Sequence, residues 1–329
     1  MVAGDGSPLM AAAAGGVYNP VRFFVSLDRL SDPGVFDLSP AGLRSWCLAC
    51  GWRGEDPIMR SVIAFVGSAR KHGVTYRATR QFLNDLQSFS DVRTELVFLS
   101  EYRIGLCRGC KACFISGEEF CPLHDDRDPL IEKMTGSDGV VLASPVYSFQ
   151  VSAHMKAFLD RLGFAFHRPR FHGKAYTSIV VEGLLGGRGV VKYLDLVGAG
   201  MGFNVVKGSR IACRKNPDTA NEPMLDEERQ KMDDVLARHT RRFGAQLSSP
   251  PFPAPTMFQL FGFRMARTSI KLEQAGQRPD PTYYRDHGWF DSDYFYPTKL
   301  GPLKRAAGAA FDRIAARSSK AREYHRAER

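Results

Sequence analysis

Two stretches of this chain carry residue types whose spacing can do chemistry. The first is Gly67-Ser68-Ala69-Arg70-Lys71-His72-Gly73-Val74-Thr75, which directly follows the apolar run Ser61-Val62-Ile63-Ala64-Phe65-Val66. Glycine lets main-chain N–H groups come close to an anion. Two hydroxyls and an arginine add donors, and the start of a helix adds a favourable field. The second stretch is Cys107-Arg108-Gly109-Cys110-Lys111-Ala112-Cys113, followed after seven residues by Cys121. Three thiolates at this spacing can wrap one side of a metal cluster, and a fourth can close it. A zinc site with four cysteine ligands uses the same donors.

The glycine loop is not a nucleoside-triphosphate loop, which needs four residues between its glycines and then Gly-Lys-Ser/Thr. Here five residues separate Gly67 from Gly73, and Val74-Thr75 follow. A G-x-G-x-x-G dinucleotide fingerprint is also missing. What remains suits one terminal phosphate, held by the Ser68 and Thr75 hydroxyls, the Arg70 charge and the backbone N–H groups of Gly73, Val74 and Thr75.

The elements that must position these stretches can be read from periodicity. Strands are expected at 61–66, 92–99, 139–144 and 175–181, with a fifth inside 202–211. A helical pattern follows the glycine loop through Tyr76, Phe82, Leu83 and Leu86, and further helices are expected at 127–135, 151–162, 190–198 and 224–247. Alternating strands and helices predict an α/β fold, a doubly wound parallel sheet of five strands. Ligands of such sheets bind beyond the carboxyl ends of the strands. The loops there are 68–75, 103–126, 145–150 and 182–189, and the expectation is that all four line one site. Pro145-Val146-Tyr147 is expected to end the third strand, and Gly183 to Gly189 to form a glycine-rich loop.

The chain divides in composition. Residues 1–58 are rich in Gly, Ala, Pro and Asp and read as a loosely ordered extension, in which Cys47-x-x-Cys50 stands alone. Residues 59–247 hold the sheet. After the proline-rich 248–255, a C-terminal extension to 329 contains a helical segment, the aromatic stretch Tyr283–Tyr296 and a basic last helix. That aromatic stretch is expected to pack on the main domain or on a partner subunit.

The net charge of +10 fits an anionic ligand without choosing one. No stretch approaches the roughly 18 apolar residues of a membrane span, and no secretory leader is apparent. A reducing, cytoplasmic location is the expectation, and there clustered cysteines serve as metal or redox ligands more often than as disulfides. Chain-wide, the eight histidines show no metal-binding spacing, and Cys213 reads as a core residue.

At this point the residues resemble a known family. The stretch 67–75 is similar to the G-S-P-R-x-x-G-N-T loop of NAD(P)H-dependent FMN reductases and iron–sulfur flavoproteins, with Ala69 in place of proline and Val74 in place of asparagine. Ser144-Pro145-Val146-Tyr147 and Ser152-Ala153-His154-Met155-Lys156-Ala157-Phe158-Leu159-Asp160-Arg161 resemble that family's S-P-V-Y and S-A-x-L-K-x-F-L-D-R. The resemblance covers about 60–215 and implies a flavodoxin-like fold with FMN as cofactor. It implies the ribityl phosphate at Ser68, Arg70, Gly73, Val74 and Thr75, and the ring beside Pro145, Val146, Tyr147 and Ser148. Gly183 would approach its edge. The cysteine spacing resembles that of iron–sulfur flavoproteins, whose motif holds a [4Fe–4S] cluster. A cluster on Cys107, Cys110, Cys113 and Cys121, a zinc ion or unused thiols all stay open at this point.

The implied function is an FMN-dependent oxidoreductase moving electrons from NAD(P)H to an unidentified acceptor. The alternatives are an electron carrier with a [4Fe–4S] cluster and a non-catalytic flavodoxin-like binding module. The implied partners are a nicotinamide nucleotide, an electron acceptor and a second copy of the chain. Neither a membrane nor nucleic acid is expected.

Overall fold

The computed structural model describes residues 59–214, 224–272 and 278–327. The chain divides into two units, Met1–Pro57 and Ile58–Arg329. The first, with Cys47 and Cys50, lies outside the described residues.

The second unit is built on a sheet of strands β1 (Arg60–Val66), β2 (Val92–Phe98), β3 (Gly139–Tyr147), β4 (Gln150–Val151), β5 (Ala175–Glu182), β6 (Asn204–Val205) and β7 (Ser209–Ala212). Its order is β2-β1-β3-β5, with β6 and β7 both parallel to β5 along the far edge. With those two pieces taken as one strand, this is the flavodoxin-like order 2-1-3-4-5. The expected fifth strand is therefore present but broken, and β4 lies outside the expected set. β4 pairs antiparallel with the end of β3.

Alternation along the strands sorts side chains between the sheet's two faces. Ile63, Phe65, Val140, Leu142, Tyr176 and Val180 join one core. There they meet helices α3 (Arg127–Thr135), α4 (Ala153–Arg161) and α5 (Gly187–Gly200), which follow α1 (Val74–Phe89) and the short α2 (Ala112–Ile115). Val62, Ala64, Val66, Val141, Ala143 and Ile179 face the other way. They pack on α1 and on α6 (Asp226–Ser248). Phe65, Phe82 and Phe158 are all 0% exposed, and each contributes about 1.5–3 kcal/mol by burial.

The extension forms its own small core. Leu260 and Phe263 of α7 (Met257–Leu272) and Tyr284 of α8 (Pro279–Asp286) meet Trp289, Phe290, Tyr294 and Leu300. Helix α9 (Pro302–Ala327) runs alongside α7, tied by Arg264 to Asp312 at 2.9 Å and by Thr268 to Asp312 at 2.7 Å. The aromatic stretch does pack on the sheet domain. His172 lies 4.7 Å from the ring of Phe295 and 6.0 Å from that of Trp289.

His239 of α6 is fully buried, with Nε2 at 2.6 Å from the Thr177 hydroxyl. Burial, helped by the charge of Arg242, pushes its pKa down to about 3. Burial likewise pushes His172 down to about 4. Below pH ~6.5 the unfolded chain takes up protons that these folded imidazoles refuse. Stability is therefore complete above pH ~6.5 and falls by about 1.4 kcal/mol per pH unit for each histidine toward their folded values. The urea midpoint is expected to drop steadily from pH 7 to pH 5, and His239→Gln is expected to flatten that slope by about half. An unchanged slope would remove this assignment.

Candidate functional site

β1 stops at Val66, and its next residue is fixed by contact. The Gly67 N–H donates to the Ala143 carbonyl at 2.8 Å, and the Gly67 carbonyl accepts from Ser152 Oγ at 2.6 Å. A side chain at Gly67 would place its Cβ 2.7 Å from Ser152 Oγ and 2.9 Å from Met155 Cβ. Only glycine lets the loop pass under the start of α4. Ser144 Oγ accepts from the Ser152 N–H at 3.0 Å and donates to the Pro145 carbonyl at 2.9 Å. Two buried serines thus lock the ends of β1 and β3 together.

The loop then turns back on itself. Ser68 Oγ accepts from the Arg70 N–H at 3.2 Å, and the Gly73 N–H donates to the Arg70 carbonyl at 3.3 Å. Arg70 lies across Gly73, with Nε 3.5 Å from where a Cβ would stand. Helix α1 begins at Val74 with no acidic residue in its first turn. The first main-chain donation in it is from Arg77 to the Gly73 carbonyl. The N–H groups of Val74, Thr75 and Tyr76 therefore point out of the helix start with no acceptor among the described residues. The sequence expectation places the donors on Gly73, Val74 and Thr75. Of these, the Gly73 N–H already has an acceptor, whereas the Tyr76 N–H has none among the described residues. Val74 itself is buried in the core.

Pro145-Val146-Tyr147 does not end β3, contrary to the sequence expectation. Pro145 stays in register with Val181, whereas the ladder to β1 stops at Val66 with Ala143. On that side a proline has no ladder bond to lose. Val146 and Tyr147 continue into a hairpin with Val151 and Gln150. Its two turn residues are Ser148 at φ 47° and Phe149 at φ 62°. Such turns favour Asn-Gly, and a bulky residue there costs on the order of 1–2 kcal/mol. Tyr147 and Phe149 are both exposed.

The glycine-rich loop is shorter than expected, because α5 starts at Gly187 rather than 190. The carboxylate of Glu182, buried at the end of β5, accepts from the Gly187 N–H at 2.6 Å and from Arg210 at 2.5 Å. That carboxylate sits at the helix's positive end and starts it early. Gly186 has φ 101°, and a Cβ there would lie 3.1 Å from Val146 Cγ1. The loops of β1, β3 and β5 are therefore in direct contact. Gly183 lies exposed beside them.

The cysteine loop meets the other end of α4. Cys107, Cys110, Cys113 and Cys121 line a cavity of about 90 Å³ with Asp160, Arg161 and Gly163. These last three residues lie at the far end of α4, because the loop folds down along that helix. Gly109 and Lys111, on either side of Cys110, have φ near +60°. Among the described residues no three His, Cys, Asp or Glu side chains sit close enough to hold a metal ion as they stand. Burial raises the Cys113 thiol pKa, partly offset by the charge of Arg168.

Residues 60–217 match the NADPH-dependent FMN reductase family. The chain is 36% identical over 156 residues to an iron-sulfur flavoprotein of Archaeoglobus fulgidus, a stretch covering 44% of this chain and 70% of that protein. The chain belongs to the iron-sulfur flavoprotein family. It is also 38% identical over 100 residues to an iron-sulfur flavoprotein of Methanocaldococcus jannaschii, covering 30% of this chain and 50% of that one. It therefore spans about two thirds and one half of the length of these two relatives. It is similar to a solved NADH:FMN oxidoreductase in its apo form, with a TM-score of 0.43 and 18% identity over 60% of this chain and 97% of that one.

The charged frame around the cysteine loop has no counterpart in the sequence expectations. The buried Arg168 donates to the Cys113 carbonyl at 2.7 Å and to Glu118 at 2.9 Å, and pairs with Asp280 of α8. Burial pushes the Glu118 carboxyl up, but the hydrogen bond from Arg170 and the charges of Arg170 and Arg168 outweigh it and hold the pKa below the ordinary range. His167 and Arg170 join the same frame through Asp280 and Glu118. A run such as Arg168-Pro169-Arg170 reads as a solvated loop, because its acidic partners lie far away in sequence. Lys156, in contrast, is paired with Asp160 on the helix surface. Cys213 is buried, as expected. No helix among the described residues is long and apolar enough to cross a membrane.

Proposed function

We propose that this chain is an FMN-dependent oxidoreductase that accepts electrons from NAD(P)H and passes them on through a [4Fe–4S] cluster at its four cysteines. One observation carries the flavin part: three strand-end loops knitted by Gly67, Ser144, Ser152 and Gly186 surround an anion-ready helix start. The outward-pointing N–H groups of Val74, Thr75 and Tyr76, with the Ser68 hydroxyl and Arg70, fit a phosphate. Pro145, Val146, Tyr147 and Ser148 offer a rigid apolar wall for a flat ring, and Gly183 lies open at its edge. FMN bound there would supply the redox chemistry, leaving the chain to bind, orient and shield.

The donor set of the second cavity fits an iron–sulfur cluster. Four thiols line one small space, and Cys107 to Lys111 donate no main-chain hydrogen bond to another described residue. Those N–H groups are free to point at cluster sulfurs. A bound cluster would supply one-electron transfer. The loop residues would have to draw inward around it, and the exposed Gly109 leaves room for that.

Mixing the FMN-loaded chain anaerobically with NADH or NADPH in a stopped-flow spectrometer tests the reading. Loss of the flavin absorbance with at least one nucleotide is expected. Reduction by neither would remove NAD(P)H as the electron source and leave a carrier or a binding module.

A further inference from the structure

The cysteine cavity contains a buried cation that the flavin site does not use. Arg161, the last residue of α4, has a side chain only 1% exposed. A buried guanidinium is costly unless its donors are met. Here Nη1 pairs with the Asp125 carboxylate and lies 3.3 Å from the Gly105 carbonyl. Nη2 donates to the Leu123 carbonyl at 3.4 Å and to Cys121 Sγ at 3.4 Å. Gly105 and Asp125 are the two ends of the cysteine loop, and they also bond to each other at 2.7 Å. Burial raises the Asp125 pKa, but the hydrogen bonds from Arg161, Gly105 and Arg127 outweigh it and hold that carboxyl ionised.

We propose that Arg161 is a positioning residue that sets the electron affinity of the cluster through its N–H contact with the Cys121 sulfur. The proposal rests on the cluster reading above. Hydrogen bonds and positive charge at cluster sulfurs favour the more negative, reduced state and so raise the reduction potential. The planar fork of arginine serves Asp125 and Cys121 at once, whereas an ammonium is a point donor that cannot reproduce both. The couple exchanges one electron. No proton moves at Arg161, whose guanidinium stays charged throughout. The same helix begins at Ser152, which is bonded to Gly67 in the flavin groove. With nine residues and about 1.5 Å per residue, α4 holds the two ends roughly 13 Å apart. Arg161 thus fixes the cysteine loop to the element that carries the flavin loops.

The full chain and the variants Arg161→Gln and Arg161→Lys, each reconstituted anaerobically with iron and sulfide, are assayed for bound iron and titrated with dithionite under electron paramagnetic resonance. In Arg161→Gln the one-electron equilibrium is expected to move at least tenfold toward the oxidised cluster, about 59 mV. Arg161→Lys is expected to move it about threefold. A cluster in Arg161→Gln that titrates within twofold of the unaltered chain would overturn the role of Arg161 alone. If Arg161→Gln retains no iron, Arg161→Lys decides, and an unshifted titration in it overturns the proposal. An unaltered chain that takes up no iron overturns the cluster reading and the proposal together.

Discussion

Replacing Arg70 by glutamate is expected to weaken FMN binding roughly a hundredfold, about 3 kcal/mol. The loop's geometry sets the size of this effect. Arg70 lies against Gly73 where α1 begins, and its N–H is turned in to Ser68 Oγ. The N–H groups of Val74, Thr75 and Tyr76 emerge at the same place. A dianionic phosphate held there gains from each donor and from the helix field. A carboxylate at position 70 removes a charge-assisted bond and adds repulsion against the same phosphate. Arg70→Lys keeps the charge and is expected to lose much less. The check is the dissociation constant of FMN from fluorescence titration, with circular dichroism confirming the fold. Binding within threefold of the unaltered chain would place the phosphate elsewhere.

Arg168→Met is expected to destabilise the second unit by about 3 kcal/mol, the lower part of the range for breaking a buried ion pair. Arg168 is 1% exposed and joins three chain segments: the cysteine loop through the Cys113 carbonyl and Glu118, its own loop, and the extension through Asp280. Its removal strips one partner each from two carboxylates and leaves the Cys113 carbonyl unpaired. Arg170 and His167 keep part of the pairing, which is why the loss stays near 3 rather than 5 kcal/mol. Arg168 Nε is already buried without a partner, a cost the fold carries in the native state. The urea midpoint at unchanged slope measures the effect. A shift worth less than about 1 kcal/mol would show that the extension is held by its aromatic core alone.

Much of the sheet is legible in the sequence because its central strands β1, β3 and β5 are largely apolar runs buried on both faces. The phosphate loop is legible because glycines, hydroxyls and arginine at a helix start leave few other readings. The rest depends on contacts between distant residues. Pro145 reads as a strand end, and only the earlier stop of β1 explains how it stays in β3. Glu182 reads as the last residue of a strand, yet its carboxylate starts α5 three residues before the periodicity does. The four cysteines are visible by spacing, but the cavity they share with Asp160, Arg161 and Gly163 comes from the path of 103–126 against the end of α4. Arg161 and Arg168 are charged letters in polar stretches, and no local pattern marks them as buried. Asp280, which holds Arg168, is more than a hundred residues away.

The joined loops at the ends of β1, β3 and β5 stand or fall as an FMN site. Stripping the full chain of flavin and titrating FMN into it while following flavin fluorescence tests this most directly. Saturable binding of one FMN per chain with a dissociation constant below about 1 µM is the predicted result. No saturable binding up to about 100 µM would contradict it.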